Sequence, residues 1–314
     1  MSPTQNQLLL AAALAAGGAA ALAAKYLDRP VESDIGVMSM AEAKDQFTWE
    51  STTVDGNEIR YRVGGPVGAP AMIHQHGFAI SGTYMLPTAA RLTDTFRVYV
   101  PDLPGFGRSP KPQDPMTIED LAVSLNHFMD AVGIEQATVV GNSLGCAITS
   151  DLIAQAPQKV TRAVLVSLAG GPHNQPLPKA LLQMTRDGLV EPPSLLPVAA
   201  PDYLRFGTGR ALRLFTAMTR FPAYERVMSM PVPVMVVIGS GDPIRPTWKT
   251  ISRALADLPP QVDIVLFQGA AHAINFTHPA ELSHAIRQFI AGDEIRMDAA
   301  NPDSVPVLQL RRPV

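Results

Sequence analysis

From residue 47 to residue 290, short apolar runs rich in β-branched residues alternate with longer amphipathic stretches. Residues 47–54 and 59–63 alternate apolar and polar positions on either side of Asp55-Gly56-Asn57, which predicts an antiparallel hairpin. Residues 71–76, 97–101, 137–140, 160–168, 232–238 and 262–267 read as strands buried on both faces. Helical spacing predicts helices over 84–92, after residue 143, over 247–258 and over 279–290. Another follows Thr117-Ile118-Glu119-Asp120, which has the form of a capping box, and stops at Gly133. This alternation predicts an α/β fold, a mostly parallel doubly wound sheet with the hairpin as an antiparallel edge.

The regularity breaks in three places. Residues 172–231 are proline-rich, with scattered Met and Leu and short helix-like pieces, and read as an inserted helical cap. The core is then 46–171 and 232–292, while 293–314, polar and proline-containing, reads as a flexible tail. At the other end, 8–24 is an uncharged run of Leu, Ala and Gly, within a hydrophobic segment (1–30) followed by a linker. The run is slightly short for a membrane span and lacks a basic leader, so a membrane anchor, a cleaved signal and a soluble or interfacial helix all stay open. If it inserts, Lys25 and Arg29 after it favour a cytoplasmic catalytic domain, the secreted and soluble cytoplasmic locations being the alternatives.

At 46% apolar and 17% charged residues, the chain is globular and not disordered. A net charge of −3 without a basic run gives no reason to expect nucleic acid. The single cysteine, Cys146, excludes an intrachain disulfide and reads as a small core residue. No His/Cys/carboxylate set has metal-ligand spacing and no glycine-rich phosphate loop occurs, so no metal or cofactor is expected.

The chemistry lies at the strand ends. Gly141-Asn142-Ser143-Leu144-Gly145 sits between a strand and a helix, with glycines where the two elements crowd together and a serine at the apex. That serine would stand at a helix N-terminus, where free N–H groups favour negative charge. A serine hydroxyl needs a neutral imidazole to take its proton and an acid to hold that imidazole. Asp242 and His272 follow the next predicted strands in the order Ser, Asp, His, each on a glycine-rich turn. The set is read as a triad of Ser143, Asp242 and His272.

His76-Gly77-Phe78, the loop from Pro101 to Ser109, the elbow at Ser143, Gly241-Asp242 and His272 together resemble the α/β-hydrolase superfamily, in its serine-nucleophile, capped, esterase-like branch. The resemblance runs from about residue 47 to residue 290. It implies Ser143 as nucleophile, His272 as general base, Asp242 as orienting acid, and an oxyanion hole from the backbone N–H groups of Phe78 and Leu144. A serine at the elbow argues against the aspartate-nucleophile branches, the haloalkane dehalogenases and epoxide hydrolases. Two departures stand out. Cys146 occupies a place where another glycine is frequent, and the loop after His76-Gly77 is shorter in Gly and Pro than in carbon–carbon bond hydrolases. Asp102 reads as a brace for its loop, His76 as a brace for the oxyanion loop, and His127, His278 and His284 as surface residues. His173 opens the insertion as a minor candidate for the pocket lining.

The apolar side chains of the insertion suggest a moderately apolar small-molecule ester as substrate, and membrane association would run through 8–24. The rivals are a carbon–carbon bond hydrolase on the same residues and a catalytically silent binding protein of the same fold.

Overall fold

The protein is described by a computed structural model covering residues 38–168, 176–301 and 305–310. The apolar run at 8–24 and His173 lie outside the described residues. Among the described residues, no helix is long and apolar enough to cross a membrane.

One nine-stranded sheet organises the molecule, in the order β1-β2-β4-β3-β5-β6-β7-β8-β9. A short helix, α1 (Met40–Asp45), comes first. β1 (Phe47–Val54) and β2 (Asn57–Gly64) form the expected hairpin, with Asp55 and Gly56 both at positive φ as a tight two-residue turn requires. β3 (Ala71–Gln75), α2 (Leu86–Ala90), β4 (Arg97–Asp102), α3 (Ile118–Ala131) and β5 (Ala137–Asn142) follow. Then come α4 (Leu144–Gln155), β6 (Val160–Val166) and four consecutive helices. These are α5 (Leu177–Val190), α6 (Leu196–Phe206), α7 (Thr208–Met218) and α8 (Ala223–Met228). Alternation resumes with β7 (Val234–Gly239), α9 (Trp248–Ala256), β8 (Val262–Phe267), α10 (Ile274–Thr277), α11 (Pro279–Ala291) and β9 (Val307–Leu310).

β3 to β8 are parallel, and β2 and β9 pair antiparallel at either side of that block. The apolar runs are mostly buried because both faces are covered, β5 and β7 along their whole length. One core gathers residues of α3, α4 and α9 on one face, and a second gathers α2 and α11 on the other. β3 lies between β4 and β5, so the chain leaves β3 toward one side and returns on the other. The carboxyl ends of strands at such a switch point are where an open α/β sheet holds its ligand.

Three expectations need correction. The 293–314 segment is not wholly a flexible tail. Residues 307–310 pair with β8, Val307 is buried, and the Gln309 amide donates to Asp263 Oδ1 at 2.6 Å. The polar, proline-containing composition hid a strand of only four residues. The end of the linker is helical, because Ser39 and Glu42 make a reciprocal capping box and Ala43 is buried. His278 is buried, with its Nδ1 2.7 Å from Thr277 Oγ1, whereas His127 is exposed and bonds Asp55.

Candidate active site

The serine turn is tight for a reason of bare contact distance. A Cβ on Gly141 would stand 2.5 Å from the carbonyl oxygen of Gly145, and one on Gly145 would stand 2.4 Å from that of Gln75. Only glycine lets β5 turn straight into α4 beneath β3. The cost falls on Ser143, held at φ 54° and ψ −113°, a conformation that L-residues rarely adopt. Its own N–H donates to Val166 O at 3.0 Å, fixing the turn against β6. Leu144, the first residue of α4, presents an N–H that has no acceptor within the helix.

The acid and the base meet. His272 Nδ1 lies 2.8 Å from Asp242 Oδ2, both residues buried, and Asp242 Oδ1 accepts the Ile244 N–H at 2.7 Å. The Asn142 amide beside the serine donates to His272 O at 3.3 Å, tying the elbow to the histidine loop. The Tyr84 hydroxyl bonds the other end of that amide, Asn142 Oδ1. Ser143, Asp242 and His272 thus stand on the ends of β5, β7 and just past β8, as their order in the chain requires.

The bracing residues act on loops. Asp102 accepts the Gly82 N–H through Oδ1 and the Arg108 N–H through Oδ2, both at 2.8 Å, and burial lifts its carboxyl to about 6. His76 Nε2 accepts the Leu103 N–H at 3.2 Å, so Nδ1 is left to donate to Gly77 O at 3.0 Å. Burial lowers this imidazole to about 4 and keeps it neutral at the acceptor. It joins the loop after β3 to the loop after β4. Phe78 carries a buried ring against Tyr203, Phe206 and Phe215 of α6 and α7. Cys146 is buried, its Sγ within hydrogen-bond reach of Gly141 O and Val166 O, and burial pushes the thiol well up, so it is a packing residue.

Sequence reasoning missed two acids. Asp187, near the end of α5, reaches the His272–Asp242 pair, and Glu191, the C-cap of the same helix, reaches the residue after His272. Glu191 Oε1 accepts the Ala273 N–H at 2.7 Å. Burial raises Asp187 to about 7, and burial with the neighbouring Asp187 raises Glu191 to about 8. For His272, burial opposes the charge, but Asp242 and Asp187, with Glu191 behind them, outweigh it and shift the imidazole upward from its ordinary range. The two acids thus add to Asp242 in favouring the charged imidazole. One signal was available: two acids four residues apart at a helix C-terminus oppose the helix dipole. Asp187, Asp242 and His272 also form the group among the described residues whose donor atoms lie close enough for a metal, within 4.8 Å of one another. A metal there would have to replace the His272–Asp242 bond.

Comparison with known proteins matches this architecture. A family model for the alpha/beta hydrolase fold matches residues 70–200. An acetyltransferase component of the acetoin cleaving system of Cupriavidus necator is 32% identical over 164 residues, 45% of this chain and 43% of that one. The match thus spans less than half of that relative's length. Carboxylesterase YbfK of Bacillus subtilis is 24% identical over 254 residues, covering 73% of this chain and 82% of the relative. Among solved structures, a bacterial membrane phospholipase A superposes with a TM-score of 0.68 at 22% identity, covering 93% of this chain and 99% of the other. With its parallel sheet, its strained serine turn and these likenesses, the chain has the α/β-hydrolase fold.

Proposed function

We propose that the protein is a serine hydrolase cleaving a carboxylic ester of a moderately apolar small molecule, with α5 to α8 as its cap. The observation that carries this reading is the pairing of two features across the sheet top. Ser143 is strained outward at the start of α4, and the adjacent Asn142 bonds the backbone of His272, whose imidazole is bonded to Asp242.

Ser143 Oγ attacks the ester carbonyl while His272 takes its proton through the nitrogen that faces away from Asp242. The tetrahedral oxyanion accepts the N–H groups of Phe78 and Leu144, which are fixed before the reaction and cost no reorganisation. Collapse expels the alcohol, which leaves with the proton from His272, and an acyl-enzyme remains on Ser143. Water then attacks, His272 again accepts a proton, and the carboxylic acid departs as Ser143 is reprotonated. Asp242 holds the imidazole's orientation and offsets the imidazolium charge throughout. The ring of Phe78 against Tyr203, Phe206 and Phe215 gives the substrate an aromatic wall, consistent with an apolar acyl or alcohol portion. The Bacillus subtilis relative, a carboxylesterase, supports the same choice of bond.

The test is a fluorophosphonate probe on the wild type, Ser143→Ala and His272→Ala, alongside turnover of p-nitrophenyl esters of increasing chain length. Labelling and turnover that are lost in Ser143→Ala are the expected result. Labelling without turnover of any ester would move the assignment to carbon–carbon bond hydrolysis. No labelling with no turnover would leave a binding protein of this fold.

A further inference from the structure

The inward stripe of α5 does something unusual for a cap helix. Gln183, Asp187 and Glu191 are spaced four residues apart, so they lie on one face, one turn above another. Gln183 Nε2 donates to Pro243 O at 2.9 Å, immediately after the acid. Glu191 Oε1 accepts the Ala273 N–H at 2.7 Å, immediately after the base. Between these two pins, one Asp187 oxygen lies within 4.8 Å of the facing atoms of both Asp242 and His272. Asp187 Oδ1 is shut off from solvent and has no hydrogen-bond partner among the described residues.

We infer that Asp187 is a positioning residue for the reaction, a second acidic partner of the His272–Asp242 pair through which the cap governs the basicity of the imidazole. A carboxyl oxygen shut off from solvent without a bond is costly, and an asparagine or leucine would fill the place at less expense. What the carboxyl supplies is charge: a second anion beside an imidazole favours the imidazolium that forms in each half-reaction. The titratable groups facing His272 are Asp242 from the turn after β7 and Asp187 and Glu191 from α5. Tyr203 and Tyr84 stand beyond the two cap acids, and the field of those acids, after burial, adds to holding Tyr203 un-ionised. Glu191 spends Oε1 on the Ala273 N–H and keeps Oε2 without a partner among the described residues, but it is Asp187 whose oxygen lies within 4.8 Å of the facing atoms of His272 and Asp242.

This inference rests on the serine-hydrolase reading, and its test has an arm that needs no substrate. In Ser143→Ala, the His272 imidazole is titrated by NMR with and without Asp187→Asn, the isosteric amide. The expected result is a fall in the imidazole pKa of about one unit or more, with partial recovery in Asp187→Glu. In the active protein, the acid limb of kcat/KM moves to lower pH by the same amount. Asp242→Asn keeps a residual rate that the double variant Asp187→Asn/Asp242→Asn loses. An imidazole titration identical with and without Asp187, in protein shown to be folded by its melting curve, overturns the proposal. So does a rate loss in Asp187→Asn with an unmoved pH profile, the mark of a packing role. Failure of the serine reading would show separately, as absence of probe labelling in the wild type.

Discussion

At the residue scale, the serine turn is fixed by two absent methyl groups. A methyl on Gly145 would meet the backbone oxygens of Gln75 and His76, at 2.4 and 2.9 Å, and backbone cannot rotate away as a side chain can. Gly145→Ala therefore either separates β3 from α4 or relaxes Ser143 out of its φ 54° conformation. The expected cost is about 2 to 4 kcal/mol, read as a fall in melting temperature of several degrees. Turnover should drop further than stability, because a relaxed Ser143 no longer aims its hydroxyl. A variant that melts and turns over like the wild type would remove the close-approach account of the elbow. This residue-level feature was legible in the sequence, since steric necessity leaves glycine as the only choice. Asp242 and His272 were legible for a similar reason: each stands just past an apolar run at the end of the sheet where such a site must lie.

At the element scale, α5 shows why the cap was less legible. Its side chains are half-buried or exposed, and none is fully buried, so apolar periodicity marks no clear inward stripe. The inward positions that matter are polar, Gln183, Asp187 and Glu191, and a polar residue on an amphipathic helix reads as solvent-facing. Their burial has a thermodynamic consequence with a definite sign. Asp187 and Glu191 titrate near 7 and near 8 in the fold, against about 4 in an unfolded chain. Between those values the folded protein holds protons that the unfolded chain has released, so the part of stability due to these two acids falls as pH rises from about 4 to about 8 and is level above. His272, raised above its ordinary range by the neighbouring acids, adds a further decline from about pH 6.5 upward. The double variant Asp187→Asn/Glu191→Gln should melt like the wild type near pH 4 and at higher temperature at pH 8.5, while losing activity. Melting curves across pH check this. A difference of the same size at every pH would mean that the acids are not buried as charges-in-waiting.

At the scale of the whole molecule, the site is assembled from loops whose positions depend on the sheet being complete. The parallel strands announced themselves because most of their positions are buried between two layers and are therefore apolar. β9 did not, because an edge strand of four residues contributes one buried side chain, Val307, and otherwise works through its backbone and Gln309. Yet its placement bears on catalysis. It pairs with β8 along Ile264 to Phe267, and Pro306 O accepts the Gln268 N–H at 3.0 Å, four residues before His272. Gln309 Oε1 also takes the Ile295 N–H at 3.1 Å, drawing the segment after α11 onto the same edge. Removing residues 305–314 would therefore unpair β8 along its outer side and release the start of the histidine loop. An exposed strand edge is a template for association, so the truncated protein should melt lower and aggregate more readily. Its kcat should fall while probe labelling of Ser143 slows, since the elbow lies four strands away on intact β5 but its base is no longer held. Restoring the segment with Gln309→Ala separates the two contributions. Backbone pairing alone should recover the edge and the loop, and the lost side-chain bonds to Asp263 and Ile295 should show as a small decrease in melting temperature. If truncation leaves melting, aggregation and kcat unchanged, β9 is no part of what holds His272, and the loop is fixed by Asp242, Asn142 and Glu191 alone.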